Sequence, residues 1–227
     1  MGSAKNRASN ARQARIEEMR RAERARERRG RIIAIVASTA VVAGLVGFGS
    51  YLFIKEQDKR KAEDAKVQAD AKAREKAAKR PIKDEKTWDA KKLGRNHVSK
   101  PVSYPMTPPV GGDHDPAWMN CNGDVYKKAI PDKHAVHSME HGAVWVTYND
   151  KAVAGDVTKL ADRVAETPYS LMSPHDDQKG AIMLSAWGKQ VTVDSADDPR
   201  VETFFAKYVL GEQTPEKGAA CTGGISQ

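Results

Sequence analysis

The sequence lacks most of the motifs by which common enzyme classes are identified. It has no H-E-x-x-H pair, no Gly-rich phosphate loop and no G-x-S-x-G nucleophile motif. Cysteine occurs only twice, at Cys121 and Cys221, so the chain can form at most one internal disulfide. No internal repeat is present. With so few catalytic signals, we assign no catalytic residues.

Charged residues are absent between Ile32 and Ile54. As a helix with a rise of about 1.5 Å per residue, this segment matches the roughly 30 Å hydrocarbon core of a bilayer. A cleaved signal peptide would have a shorter apolar core, of about 7–15 residues, followed by a small-residue cleavage site. We therefore predict an uncleaved transmembrane helix over residues 32–54, with the lipid bilayer as its partner.

The flanking charges predict the orientation of this helix. Residues 1–31 contain 11 Lys/Arg and 4 Glu, and such a basic flank stays in the cytoplasm beside anionic lipid. Residues 55–100 also carry a net +7, but there the cations alternate with anions. We predict a single-pass cell-membrane protein with a basic cytoplasmic arm (1–31), a transmembrane helix (32–54), a charged helical stalk and linker (55–95), and an extracytoplasmic domain (96–227).

The net positive charge of the chain comes from its first 100 residues and not from the C-terminal region. Residues 101–227 contain 11 Lys/Arg and 17 Asp/Glu, a net charge of −6, so we expect no nucleic-acid partner. Residues 55–80 contain neither Gly nor Pro and are rich in helix-forming residues. Because they have no apolar stripe, they predict a solvated helix and not a coiled coil.

The C-terminal region alternates between strand and helix patterns after a loop-like segment, residues 97–133. The predicted elements are a strand at Gly142–Tyr148, a helix at Val157–Glu166, a short strand at Tyr169–Met172, a strand or hairpin at Ala181–Val193 with Gly188 near its turn, and a helix at Pro199–Leu210 capped by Asp198. This order predicts a small α+β domain.

The two cysteines both lie on the predicted outer side, where the compartment is oxidising. An even pair in that setting predicts a disulfide between Cys121 and Cys221. Closing so long a loop would contribute roughly 4–5 kcal/mol in the chain-entropy model. The alternative is two free thiols that join a metal site.

Histidines are concentrated in one short segment, with His134, His137 and His141 inside eight residues. A helix would place His137 and His141 on one face, whereas an extended chain would align His137, Met139 and His141. Imidazole with a thioether suits copper, and imidazole with carboxylate suits zinc or iron. We predict a metal site, with copper preferred and zinc as the alternative, whose ligands are His114, His137, Met139 and His141.

Glu140 lies between two of these histidines, and three roles are open to it. It can orient a ligand imidazole from outside the coordination sphere, act as a general base, or form a structural salt bridge or cap. We place it as an orienting residue. The alternative for the histidines themselves is a structural role, in which they bond the backbone, while methionine simply fills the core.

A set of residues in the C-terminal part resembles a known family. The positions that carry the likeness are His97, Tyr104-Pro105, Pro108-Pro109, His114, Gly123, Tyr126, the segment VHSMEHGAV from Val136 to Val144, Tyr148, Pro168-Tyr169, Ala186–Gly188, Phe204, Glu216 and Cys221. Over residues 90–225 the chain resembles the membrane proteins grouped as domain of unknown function 3105. The resemblance implies one N-terminal span, an extracytoplasmic domain and an actinobacterial source. It also makes His114, His137, Glu140 and His141 shared motif positions.

Three functions are compatible with these observations. The first is a membrane-anchored extracytoplasmic metal-binding protein that serves copper handling or the assembly of a cell-envelope metalloenzyme. The second is a non-catalytic accessory subunit of a membrane complex, for example a respiratory one, with a structural histidine cluster. The third is a metal-dependent enzyme. We expect the first.

Overall fold

The computed structural model describes residues 2–226. For residues 2–14, 40, 42, 43 and 46 the description is confined to the backbone. Part of the predicted basic arm, and part of the predicted transmembrane segment, therefore lie outside the described side chains.

The chain begins with one long helix, α1 (Gly2–Ala78). It covers most of the segment predicted as a solvated helix, where Glu56 and Arg60 form an ion pair of 3.5 Å one turn apart. Within the described residues, no helix combines the length and the apolar character needed to cross a membrane. The structure thus does not support the predicted transmembrane helix over residues 32–54.

The chain divides into two compact units, Met1–Gln68 and Ala69–Gln227. A six-stranded sheet lies in the second unit, in the order β1-β6-β5-β3-β4-β2. Its strands are β1 (Lys86–Thr87), β2 (Asn122–Val125), β3 (Val144–Tyr148), β4 (Ser170–Pro174), β5 (Ile182–Ala186) and β6 (Lys189–Val193). The helices of this unit beyond the end of α1 are α2 (Asp132–Glu140), α3 (Ala154–Ala165) and α4 (Pro199–Tyr208).

The sheet is mixed. β4 runs parallel to both of its neighbours, β3 and β2, whereas the other strand pairs are antiparallel. Parallel neighbours need a crossover connection, and α3 provides it between β3 and β4. A mixed sheet packed with helices in this way confirms the predicted α+β class.

Alternate residues of the central strands build two separate hydrophobic clusters. On β3, Val144 and Val146 belong to the cluster that contains the buried residues of α3 and α4. Trp145, which lies between them, belongs to a second cluster that includes Val136 and Met139 of α2. Because successive side chains of a strand point to opposite faces, α2 lies on one face of the sheet and α3 and α4 on the other.

Several predicted elements are present with small shifts at their ends. Residues 181–193, predicted as a strand or hairpin, form the hairpin β5–β6, and Gly188 makes its turn with a φ of 68°. The Asp198 carboxylate caps α4 by accepting a hydrogen bond from the Arg200 amide at 2.8 Å. The histidine segment, for which helical and extended forms were both open, is the helix α2.

Other parts of the sheet were not predicted. β2 lies inside the segment that was predicted as loop. The prediction missed this strand because it contains Gly123 and Asp124, residue types that strands disfavour. Residues 82–93, assigned to the linker, contribute Ile82 to the core and β1 to the edge of the sheet. A strand of two residues has no detectable alternation in sequence.

Candidate metal centre

The helix α2 and the loop before it bring the histidines together. His134, His137 and His141 are spaced by three and four residues, so the helix and its C-cap present them on one face. In the preceding loop, His97 and His114 pair through the backbone, where the Val98 amide donates to the His114 carbonyl at 2.7 Å. This pairing joins two imidazoles that are 17 residues apart in sequence.

Backbone carbonyl groups fix the orientation of the imidazole rings. The Nδ1 atoms of His114 and His137 lie 2.7 Å from the carbonyl oxygens of Gly112 and Asp115. The Nδ1 atom of His141 lies 2.7 Å from the carbonyl of Ala220. A carbonyl oxygen only accepts hydrogen bonds, so each Nδ1 must carry the proton. In the neutral ring, the Nε2 lone pair is then free to bind a metal ion, which is the usual arrangement of metal-ligating histidines.

Four side chains offer ligand atoms to a common point. One atom each from His97, His114, His137 and Glu140 lies within 4.8 Å of every other in the group. Neighbouring ligands of a tetrahedral ion bound at about 2.1 Å are ~3.4 Å apart. Metal binding would therefore need the widest-spaced ligand atoms to approach each other by up to about 1.4 Å, and His114 Nε2 and Glu140 Oε2, which are 2.8 Å apart, to separate slightly. Side-chain rotations cover such distances. Three of the four side chains are buried, and His97 alone is exposed, at 46%.

The contact between His114 and Glu140 is the closest in the group. His114 Nε2 lies 2.8 Å from Glu140 Oε2, and both side chains are almost completely buried. Yet neither atom has a hydrogen-bond partner of acceptable geometry among the described residues. Buried polar atoms without partners are rare because each costs free energy, and they require a specific explanation.

The charge states of the cluster follow from burial and from this contact. Burial, together with the neighbouring histidines, lowers the pKa of His137 to about 4, so its ring is neutral at pH 7. Burial alone would raise the pKa of Glu140, but the adjacent His114 holds it below its usual value. Burial likewise lowers the pKa of His141. Burial also acts to lower the pKa of His114, but the contact with Glu140 outweighs it and the net shift is upward. Imidazole together with one carboxylate is a donor set that first-row transition metals accept.

Two of the four predicted ligands lie in the group of converging side chains, and the other two do not. His114 and His137 lie in the group together with Glu140, which was predicted to orient a ligand and here offers a ligand atom itself. His141 lies beside the group, with its ring centroid 4.5 Å from that of His137. Met139 is fully buried in the hydrophobic cluster with Trp145. Since residues two apart on a helix point about 200° from each other, Met139 faces away from His137 and His141.

His97 was not predicted as a ligand. Its only sequence signal is its place among the family-like positions, since nothing local connects it to the histidine segment. Its position depends on the backbone pairing with His114, a long-range contact. Sequence spacing does not reveal contacts of that kind.

The C-terminal segment covers the end of α2. The amides of Glu216 and Gly218 donate to the carbonyls of Glu140 and His141, each at 3.0 Å. The predicted disulfide between Cys121 and Cys221 is present and ties this segment to the loop that carries the orienting carbonyls. Trp118 of that loop packs against the rings of His137 and His141, with centroid distances of 5.6 and 5.2 Å.

Comparison with known proteins gives one match. A family model described as "Protein of unknown function (DUF3105)" matches residues 97–223, which include the whole candidate centre. No curated protein and no solved structure matches the chain significantly. The match covers more than half of the 227 residues.

Proposed function

We propose that this chain, which belongs to the DUF3105 family of proteins of unknown function, binds one transition-metal ion through His97, His114, His137 and Glu140. The observation that carries the proposal is the pair of buried, unpartnered atoms at His114 Nε2 and Glu140 Oε2. The proposed role is metal handling, or the assembly of a metalloenzyme in the cell envelope.

The electrostatics of that pair favour a cation. With Nδ1–H donated to the Gly112 carbonyl, the neutral His114 ring directs only a lone pair at the carboxylate. Two lone pairs at 2.8 Å repel each other, so positive charge must be present there. A proton on His114 Nε2 would remove the repulsion between these two atoms only, whereas a metal ion would accept lone pairs from all four side chains at once. The convergence of His97 and His137 on the same point supports the metal.

The donor set restricts the choice of metal. Three imidazoles and a carboxylate suit Zn²⁺ and Fe²⁺, and Cu²⁺ binds such nitrogen and oxygen donors still more tightly. The preference for copper in the sequence analysis depended on a thioether from Met139, which lies in the core. Zn²⁺ is therefore the metal to test first, and Cu²⁺ is the alternative.

The test is titration calorimetry of the full-length protein with Zn²⁺, together with elemental analysis after dialysis. The wild type should bind one ion per chain, and His137→Gln should weaken binding by at least tenfold. His134→Gln is the matched control, because His134 lies one turn earlier on α2 and bonds the Ala117 carbonyl outside the group. A wild type that retains no metal would contradict the proposal. Co-purification with a defined membrane complex would then favour the accessory-subunit alternative.

We also propose that residues 32–54 anchor the chain in a membrane, with residues 1–31 in the cytoplasm and residues 55–227 outside. Support comes from the uncharged sequence and from apolar side chains such as Ile33, Leu45 and Phe53, which are 68%, 68% and 65% exposed. The disulfide supports the outer placement, since such bonds persist in oxidising compartments. Trypsin added to intact spheroplasts should cleave the second unit and spare the arm. Cleavage of both from the same side would contradict this orientation.

A further inference from the structure

His141 and Glu216 form a pair of metal-binding groups beside the candidate centre. His141 Nε2 lies 4.0 Å from Glu216 Oε2. The His141 side chain is buried at 4% exposure, and its Nε2 atom has no hydrogen-bond partner among the described residues. Glu216 is 49% exposed, so its carboxylate faces solvent as well as His141.

The backbone holds this pair in place. The Glu216 amide donates to the carbonyl of Glu140, which is itself a proposed ligand. The His141 ring is anchored at Nδ1 by Ala220 and packs directly against the His137 ring. A continuous series of donor groups therefore runs from an exposed carboxylate, through His141, to His137 inside the cluster.

We propose that His141 and Glu216 form a transient site for a divalent cation, through which the ion passes between solvent and the buried centre. The inference rests on the proposed function, because it requires the centre to bind metal. It assigns to His141 a role distinct from that of a resident ligand. The ion would be captured by the carboxylate, transferred to His141 Nε2, and then exchanged onto His137 and the remaining ligands.

The charges near the pair favour the approach of a cation. The Glu216 carboxylate lies beside His141 Nε2, and the neighbouring Lys217 is engaged by Glu212 at 3.0 Å. A carboxylate beside a ligand atom raises the local cation concentration and the association rate. His97, the exposed member of the group, is flanked in the chain by exposed Arg95 and Lys100.

Stopped-flow kinetics with Zn²⁺ and a chromophoric chelator test the route on the full-length protein. Glu216→Gln should lower both the association and the dissociation rate constants by about tenfold and leave the Kd within about twofold of wild type. His141→Gln should behave in the same way. Glu166→Gln is the matched control, because it removes the same charge from an exposed side chain at the C-cap of α3, on the face of the sheet opposite α2.

The outcomes separate a failure of the proposed route from a failure of the proposed metal centre. Rates in Glu216→Gln and His141→Gln that equal those of Glu166→Gln would overturn the route while leaving the metal centre intact. An increase in Kd of more than tenfold with unchanged association would also overturn it, because His141 would then be a resident ligand. A wild type that binds no Zn²⁺ would overturn the proposed function and this inference together.

Discussion

Removal of the disulfide should destabilise the second compact unit strongly. Cys121 and Cys221 are 100 residues apart in sequence. In the chain-entropy model, opening a loop of that length costs about 4.7 kcal/mol of unfolding free energy at 25 °C. For a protein of this size each kcal/mol corresponds to roughly 2–4 °C of Tm, so the expected decrease in Tm is roughly 9–19 °C.

The assay compares three forms of the full-length protein by thermal unfolding: oxidised wild type, wild type reduced with a phosphine, and the variant Cys121→Ala/Cys221→Ala. Alanine avoids placing unpartnered hydroxyl groups at these buried positions. Reduction keeps the sulfur atoms in place, so a similar loss in both forms assigns the effect to the cross-link and not to packing. A decrease in Tm below about 3 °C in both forms would contradict a large contribution of the cross-link to stability, since it corresponds to only ~1 kcal/mol.

The remaining predictions concern the N-terminal cap of α4, the contact between His175 and Asp132, and the side chain of Met139. Asp198→Ala should lower the unfolding free energy by about 1 kcal/mol in urea, because the α4 cap is lost. Asp197→Ala, which removes only an exposed ion pair with Lys159, should change it little; equal losses would contradict the capping role. Burial lowers the pKa of His175, but the contact with Asp132 outweighs it and the net shift is upward. Because the folded pKa is the higher one, this pair stabilises fully below the unfolded value of about 6.5 and loses its contribution as the pH rises through the folded pKa. The stability difference between wild type and His175→Gln should therefore shrink as the pH rises above about 6.5, and a constant difference would contradict the ion pair. Met139→Leu should leave Zn²⁺ and Cu²⁺ affinity within about twofold, since Met139 faces the core; a tenfold loss would restore the thioether as a ligand.

The elements that could be predicted from sequence are those whose signal is local. The β5–β6 hairpin has its turn at Gly188, and α4 begins after Asp198 followed by Pro199, so periodicity and turn chemistry identify both. The histidine segment is different, because both helical and extended forms bring two histidines to one side. In the helical form, Val136 and Met139 pack against the sheet, whose residues are remote from them in sequence. A local sequence pattern does not reveal this contact.

The candidate site was predictable in part for the same reason. His137 and Glu140 are one helical turn apart, so a local pattern relates them. His97 reaches the group through a backbone pairing with His114, and no spacing in the sequence encodes that pairing. Met139 was chosen from the two-residue period of an extended chain, and the helical period of 3.6 moves it to the opposite face.

The most direct test of the metal centre is anomalous scattering at the zinc edge from crystals of the protein grown with Zn²⁺. We predict one strong peak about 2.0–2.2 Å from His114 Nε2, His137 Nε2 and a Glu140 carboxylate oxygen, with the His97 ring turned toward it. A crystal with no peak among these side chains, and with His114 and Glu140 in a simple hydrogen bond, would contradict it.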